Sequence, residues 1–233
     1  ITVSDFLKRQ VQFYNPHDNK CFTVYNGIDL AQSKVSLPIS RKELGFGEED
    51  FVLVFCGRLI PEKGISELIE AMILLRDDPH IKLLIIGGSF YENSANDNPF
   101  ISGLKVKAKE VCNNIRFTGY IKHEQVPSYL HQANVAVVPS IINEGFGMSI
   151  VESMAVGLPI ITTNRGGISE VVSSDNAIVV TVDEDFPERL AEAILLLYHD
   201  TNAQREMGLA SLKLSKQYSK VKYARNFFDN IDN

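Results

Sequence analysis

Short apolar runs alternate with amphipathic segments along most of this 233-residue chain, and this alternation limits the folds open to it more than any other feature. Continuous apolar runs bounded by turn residues are typical of parallel strands buried on both faces. Apolar residues spaced three and four apart predict amphipathic helices between them. Strands are predicted at residues 51–55, 82–86, 115–118, 135–138, 160–163 and 178–182, and helices at 5–14, 65–76, 101–111, 126–132 and 147–155, with two or three more after residue 187. The sequence therefore predicts an α/β fold, a doubly wound, Rossmann-like parallel sheet with helices on both faces.

In sheets of this kind, ligands bind where the strands end. The loops that carry Arg58, Gly87, Tyr120, Glu144 and Gly166 all follow predicted strands. Right-handed crossovers place these loops on one edge of the sheet. The candidate chemistry is therefore expected at that edge. A polar segment at residues 90–100 is predicted to be a mobile loop before the next helix.

The segment from Pro139 to Ile161 carries the strongest concentration of candidate site residues. Glu144 and Glu152 lie eight positions apart, with Gly145 and Gly147 between them and a helix predicted from about Gly147. A glycine-rich loop that opens into a helix presents unpaired N–H groups and the positive end of the helix dipole to an anion. Two carboxylates beside such a site suit hydroxyl recognition as well as acid–base chemistry. A sugar nucleotide offers both a diphosphate and hydroxyls.

Two cations follow the first of the buried strands. Arg58 and Lys63 stand between a strand and a helix, where they can reach a diphosphate, although cations on a solvated loop give the same sequence pattern. A phosphate-binding P-loop is excluded, because Glu62 replaces its second glycine and Gly64 replaces the Ser or Thr that holds magnesium. A dinucleotide-binding dehydrogenase is disfavoured, since no G-x-G-x-x-G run follows an early strand.

The sequence shows no metal-ligand spacing. The histidines are scattered, and Cys21, Cys56 and Cys112 are far apart, with Cys56 expected in the core. The run 183–185, Asp-Glu-Asp, resembles a metal-binding D-x-D, but it precedes a predicted helix, and helix capping by acidic residues explains it with less effort. No G-x-S-x-G elbow is present, which leaves covalent catalysis through Ser or Cys without support.

Bulk charge and targeting features narrow the class of protein further. The net charge of −6 gives no support for general nucleic-acid binding. The number of cysteines is odd and they are widely spaced, no signal peptide is recognised, and no apolar run reaches about 18 residues. These features predict a cytoplasmic protein. A basic C-terminal helix either packs its aromatic residues on the domain or contacts anionic lipid at the inner face of the membrane. Its cations are Lys213, Lys216, Lys220, Lys222 and Arg225.

Six motifs in this chain resemble, in the same order, those of glycosyltransferase family 4, whose members have the GT-B fold. They are VYNGID (24–29), FCGRLIPEKG (55–64), IIGG (85–88), FTGYI (117–121), VPSIINEGFGMSIVESMAVGLPII (138–161) and TNRGGISEVV (163–172). The spacing of Glu144 and Glu152 alone would be weak evidence for this resemblance, but six motifs in the same order are specific to the family. The resemblance implies the C-terminal, donor-binding half of a retaining enzyme that needs no metal or other cofactor. Such an enzyme transfers a sugar from a nucleoside diphosphate sugar, most commonly UDP-linked, to a hydroxyl in polysaccharide or glycoconjugate synthesis.

The resemblance also implies roles for individual residues. Arg58 and Lys63 would bind the donor diphosphate, and Glu144 would face the transferred sugar. Glu152 would accept hydrogen bonds from the ribose, and the backbone of Ile121 would approach the base. The predicted donor-binding set is Gly57, Arg58, Lys63, Ile121, Glu144, Gly145, Phe146, Gly147, Met148 and Glu152, of which Arg58, Lys63 and Glu144 are the predicted catalytic residues.

The predicted domain organisation follows from the same resemblance. Residues 1–20 would be the end of a truncated N-terminal domain or a linker, 21–215 the nucleotide-sugar-binding domain and 216–233 a C-terminal helix. The chain opens on a strand-like run rather than on Met, which suggests a fragment of a longer protein, and the family's acceptor-binding N-terminal domain is missing from it. We expect the chain alone to bind a nucleotide sugar weakly and to transfer no sugar. A non-catalytic nucleotide-sugar-binding module is the alternative.

Overall fold

A computed structural model describes residues 1–16, 20–33, 39–88, 98–111 and 114–231. Within these residues one sheet of six strands is formed, and every neighbouring pair is parallel. The strands are β1 (Phe51–Cys56), β2 (Ile81–Ile86), β3 (Ile115–Gly119), β4 (Val135–Val138), β5 (Ile160–Thr163) and β6 (Ala177–Val180). Their order across the sheet is β3-β2-β1-β4-β5-β6. The predicted doubly wound parallel sheet is confirmed.

The predicted helices are present, with small shifts at their ends. They are α1 (Asp5–Tyr14), α2 (Ile65–Leu74), α3 (Pro99–Ala108), α4 (Val126–Leu130), α5 (Met148–Ala155), α6 (Phe186–His199), α7 (Thr201–Ser215) and α8 (Lys220–Ile231). The α3 helix begins two residues earlier than predicted, because the Asn98 side chain accepts the N–H groups of Phe100 and Ile101 at 2.9 and 3.4 Å. The remainder of the predicted loop at 90–100 lies outside the described residues, as does Cys112.

Alternate residues of each central strand enter two separate cores. Leu53 and Phe55 belong to a cluster with α2, α3 and α6, whereas Val52 and Val54 belong to one with α4 and α5. All four side chains are buried. Burial on both faces is why these strands are continuously apolar in sequence.

Residues near both chain ends pack against the domain close to the loop after β5. Ser4 is buried and caps α1, and the Glu170 carboxylate accepts the first two N–H groups of that helix at 2.7 and 2.6 Å. The Ile28 N–H donates to the Tyr218 carbonyl, and the Lys220 N–H donates to the Ile28 carbonyl, both at 2.8 Å. None of the helices in the described residues combines the length and apolar character needed to cross a bilayer.

The strand order creates a crevice between β1 and β4. These strands are neighbours, but the chain leaves β1 toward β2 on one side and leaves β4 toward β5 on the other. The loops at their carboxyl ends therefore diverge, and such a switch point is where open α/β sheets bind ligands. The loops concerned are residues 57–64 and 139–147.

Candidate functional site

The loops after β1 and β4 touch at a point where only glycine fits. Gly64 has a positive φ of 68°, and a Cβ there would lie 1.9 Å from the Pro139 carbonyl oxygen. The Ile141 N–H donates to the Glu62 carbonyl at 3.1 Å, which joins the same two loops. This close approach carries Lys63 onto the loop of Glu144.

Lys63 and Glu144 form a partly buried ion pair in the crevice. The Lys63 ammonium donates to Oε1 of Glu144, and the two side chains are 22% and 17% exposed. The Ser140 hydroxyl donates to the same oxygen at 2.6 Å, and Ser140 itself is fully buried. Charge-assisted contacts of this kind are strong and hold a carboxylate in one orientation.

The loop after β5 supports the backbone of Glu144. The Gly167 N–H donates to the Glu144 carbonyl at 2.8 Å, and the Glu144 N–H donates to the Arg165 carbonyl at 3.4 Å. Gly166 has a φ of 67°, and a Cβ there would lie 2.3 Å from the Glu144 carbonyl oxygen. Glycine at position 166 is therefore required by the close passage of the two chains.

A cleft of about 530 Å³ opens above this contact. Eight of the ten predicted donor-binding residues line it: Gly57, Arg58, Lys63, Glu144, Phe146, Gly147, Met148 and Glu152. The floor also includes Cys56, predicted only as core, whose thiol has its pKa raised to about 12 by burial and by the nearby Glu152 carboxylate. The cleft therefore assembles most of the predicted set and keeps the Cys56 thiol protonated.

Helix α5 points its N-terminus into this cleft. Gly147 precedes the helix in a left-handed conformation with φ 105°, and no side chain among the described residues caps the helix there. The first turn carries no acidic residue. The open N–H groups and the positive end of the helix dipole are therefore available to an anion beside Lys63.

Glu152 stands one helix turn further on, where the cleft meets a smaller cavity of about 170 Å³. Its carboxyl is 21% exposed, and Oε1 lies 3.8 Å from Nδ1 of His123. Burial raises the pKa of the Glu152 carboxyl, and the nearby His123 acts in the opposite direction. The smaller cavity lies between the turn Gly27–Asp29 and the start of α4 at Val126.

Two predicted residues lie beside the cleft rather than on its surface. Gly145 faces α1, since a Cβ there would be 3.3 Å from Cδ1 of Leu7. The Ile121 side chain packs against the second core, two residues before His123, which lines the smaller cavity. The backbone role predicted for Ile121 does not depend on where its side chain packs. The same holds for the N–H groups of the glycine-rich loop that contains Gly145.

An aromatic layer backs the cleft. Phe146 is buried, stacks on Tyr25 with ring centroids 5.9 Å apart, and meets Tyr218 edge-on at 5.6 Å. Burial, with the carboxylates of Asp5 and Glu170 nearby, raises the pKa of Tyr25, which keeps it a neutral donor. The GFG turn is thereby fixed by residues far from it in sequence.

In the described residues no group of three His, Cys, Asp or Glu side chains has metal-ligand geometry. Asp183 of the acidic run accepts the Asp185 N–H at 3.2 Å and binds Arg189 of α6 at 3.0 and 3.1 Å. The predicted capping of the helix by this acidic run is wrong, because Asp185 at the N-cap of α6 makes no side-chain capping bond and Asp183 binds the Arg189 side chain instead.

The sequence matches one protein-family model over most of its length. The model described as glycosyl transferases group 1 matches residues 38–213. The chain belongs to this family. Similar proteins include YtcC of Bacillus subtilis, which is 32% identical over 216 residues, 88% of this chain and 53% of that protein. A GDP-mannose-dependent monoacylated alpha-(1-6)-phosphatidylinositol monomannoside mannosyltransferase of Corynebacterium glutamicum is 28% identical over 79% of this chain and 49% of its own length.

The chain thus spans about half the length of these curated relatives. Among solved structures, Anabaena Alr3699/HepE in complex with UDP and glucose has a TM-score of 0.85 and 23% identity, covering 100% of this chain and 62% of that one. The C-terminal domain of LpcC from Francisella tularensis has a TM-score of 0.69 and 23% identity, covering 83% of this chain and 100% of that one. The predicted fold class, the C-terminal domain of a GT-B glycosyltransferase, is confirmed.

Several residues of this group 1 glycosyltransferase domain were missed by sequence reasoning. Asn26 lines the cleft, and His123 lines the smaller cavity beside Glu152. Ser140 bonds the Glu144 carboxylate, and Gly166, which the sequence placed only on the ligand-binding edge, passes close to the Glu144 backbone. The signal was present, because Asn26, Ser140 and Gly166 all lie in motifs that carried the resemblance. Their contacts depend on distances that the motifs do not encode.

Proposed function

We propose that this chain is the donor-binding half of a retaining glycosyltransferase of family 4. The complete enzyme transfers a hexosyl group from a nucleoside diphosphate sugar to a hydroxyl during polysaccharide or glycoconjugate synthesis. The observation that carries the proposal is one cleft that combines an uncapped helix N-terminus, the cations Arg58 and Lys63, and the carboxylates Glu144 and Glu152. An anion and a set of hydroxyls are the ligand groups that this combination fits.

The diphosphate is placed at the N-terminus of α5, between Gly57 and Gly147. Both glycines line the cleft, and so do the cations Arg58 and Lys63. Negative charge that develops on the leaving diphosphate would there meet fixed positive charge and helix N–H groups. These groups take the place that a metal ion has in other phosphate sites, so we propose metal-independent transfer.

From the diphosphate the donor extends in two directions. The sugar lies toward Glu144, whose carboxylate accepts a sugar hydroxyl, and the ribose lies toward Glu152. Beyond Glu152 the smaller cavity, which His123 also lines, takes the nucleobase. The HepE complex contains UDP and the mannosyltransferase relative is named for GDP-mannose. We propose UDP because it is the commonest donor nucleotide implied by the family resemblance.

In the transfer step the bond between the anomeric carbon and the diphosphate oxygen breaks. The acceptor hydroxyl oxygen bonds to that carbon, and its proton passes to the departing diphosphate oxygen. The sugar gains oxocarbenium character, and its bonding electrons leave with the diphosphate. Arg58, Lys63 and the helix N-terminus stabilise the departing charge by preorganised electrostatics. No covalent intermediate on Ser or Cys is required, which agrees with a Cys56 thiol whose pKa is raised.

The acceptor site is proposed in the missing half of the protein, since this chain spans about half the length of its relatives.

We also propose a cytoplasmic enzyme that contacts the inner face of the membrane through α8. Val221 and Phe228 of α8 are 64% and 61% exposed, and Lys222 and Arg225 lie on the same helix. Sedimentation with vesicles that contain anionic lipid, compared with neutral vesicles, tests this contact.

Calorimetric titration of the chain with UDP-glucose, GDP-mannose and ADP-glucose tests the proposed function. We expect weak, saturable binding of at least one of them, strongest for the UDP-linked donor, and no sugar transfer by this half alone. A chain that binds none of the three would contradict the proposal. In the complete enzyme, binding without acceptor-dependent nucleotide release would favour the alternative, a non-catalytic nucleotide-sugar-binding module.

A further inference from the structure

The Glu144 carboxylate has two partners, and they differ in how firmly they are held. Lys63 is a long, flexible side chain that lines the cleft and is 22% exposed. Ser140 is fully buried, and its own carbonyl accepts the Thr163 hydroxyl at 2.7 Å. Both bond Oε1 of Glu144, while Oε2 takes neither contact. One oxygen of the carboxylate is therefore fixed from two sides.

The proposed function requires Lys63 at the donor diphosphate, yet in this structure Lys63 is committed to Glu144. A diphosphate carries more negative charge than one carboxylate and would compete for the ammonium. If Lys63 moves, Glu144 loses its charge partner, and without a second donor a partly buried carboxylate is costly and free to turn. Some other group must then hold it.

We propose that Ser140 is a positioning residue that keeps Glu144 aimed at the donor sugar after Lys63 has moved to the diphosphate. This inference rests on the proposed function. The Ser140 hydroxyl retains Oε1, and Oε2 accepts the sugar hydroxyl. Ser140 therefore contributes to recognition of the sugar and contributes little to recognition of the nucleotide. The lysine and the serine have separate roles, because Lys63 responds to the ligand and Ser140 stays in place.

The test compares two affinities in the same chain. Calorimetry gives the dissociation constants of UDP and of UDP-glucose. The dissociation constant of UDP divided by that of UDP-glucose measures what the sugar contributes to affinity. GDP and GDP-mannose are used instead if the wild-type chain prefers that donor. Ser140→Ala is expected to reduce this ratio by about tenfold, the usual effect of losing a hydrogen bond to a charged group. UDP affinity is expected to stay within about twofold. Ser140→Thr, which keeps the hydroxyl, is expected to recover part of the ratio.

Ser128→Ala is the matched control. Ser128 is also a buried serine, but its hydroxyl has no hydrogen-bond partner in the described structure, so its loss is expected to change neither affinity. Thermal unfolding checks that each variant is folded.

The possible results separate the inference from the proposed function. If the wild-type chain binds neither UDP nor a nucleotide sugar, the proposed function fails and the inference fails with it. If both ligands bind and Ser140→Ala leaves their ratio unchanged, only the inference is wrong. An equal loss of UDP and UDP-glucose affinity would show that Ser140 merely supports the loop, and that result also overturns the inference.

Discussion

A Cβ atom on Gly64 would lie 1.9 Å from the carbonyl oxygen of Pro139, so the loops after β1 and β4 meet where no side chain can enter. The positive φ of 68° adds backbone strain for any other residue. Gly64→Ala is therefore expected to lower the free energy of unfolding by more than about 2 kcal/mol. Thermal unfolding should show a Tm reduced by roughly 4–8 °C.

Gly103 provides the matched control for this variant. It lies in α3, and a Cβ there would meet nothing within 4 Å. Gly103→Ala is expected to leave stability unchanged or to raise it by up to about 1 kcal/mol. Equal losses in the two variants would show that the contact between Gly64 and Pro139 does not matter for stability.

Replacement of Lys63 tests the electrostatic part of the proposed mechanism. In the complete enzyme Lys63→Ala is expected to reduce turnover by a factor of about a hundred or more, because stabilisation of the leaving diphosphate is lost. Acceptor-dependent nucleotide release measures it. Lys107→Ala is the control, since Lys107 also pairs with a glutamate, Glu70, but joins α3 to α2 away from the cleft. A rate unchanged by Lys63→Ala would make the residue a surface cation only.

The partly buried carboxyl of Glu152 predicts a stability difference that depends on pH. Because its pKa is raised by burial, the folded state holds this proton more tightly than the unfolded state, and ionisation costs stability as pH rises. Glu152→Gln is therefore expected to be more stable than the wild type at pH 7–8. The gain should shrink as pH falls toward the ordinary glutamate pKa of about 4.3.

Denaturant unfolding of both proteins across this pH range measures the difference. His123, at 3.8 Å from Glu152, reduces the gain while it is protonated. If the Glu152→Gln variant is less stable than the wild type at pH 8, or if the difference does not vary with pH, the predicted cost of ionisation is contradicted.

Metal independence predicts that chelation has no effect. Binding of a nucleotide sugar, measured by calorimetry, is expected to be the same in EDTA and in excess Mg²⁺. Asp183→Asn is expected to leave that affinity within about twofold, because Asp183 serves Arg189 at the start of α6. Loss of binding in either experiment would revive the D-x-D interpretation of the acidic run.

The fold was predictable because its signals are local. The run at 51–55 needs only burial on both faces to be recognised as a strand, and it forms β1 with one more residue, Cys56. Sheet topology places Arg58 and Glu144 on the same edge without any knowledge of side chains. Boundaries were less accurate where a cap decides them, as at Asn98 before α3.

The internal arrangement of the site was not predictable in the same way. Lys63 and Glu144 were each assigned to the ligand, yet they bind one another across 81 positions in sequence. Sheet topology predicts that two loops lie near each other, whereas a hydrogen bond requires its two atoms to be placed to within tenths of an ångström. That accuracy comes from Gly64 and Gly166, which let backbones approach more closely than any prediction from residue type would place them.

The aromatic layer behind the cleft changes what counts as the smallest working unit of this protein. The family match covers residues 38–213, but Val3 and Asn26 line the cleft, and Tyr25 and Tyr218 cover the ring of Phe146. A protein trimmed to residues 38–213 would expose that ring to water and leave the cleft open at the back. The flanking segments therefore belong to the wall of the cleft, and a shorter fragment would keep the residues of the motifs but lose part of the shape around them.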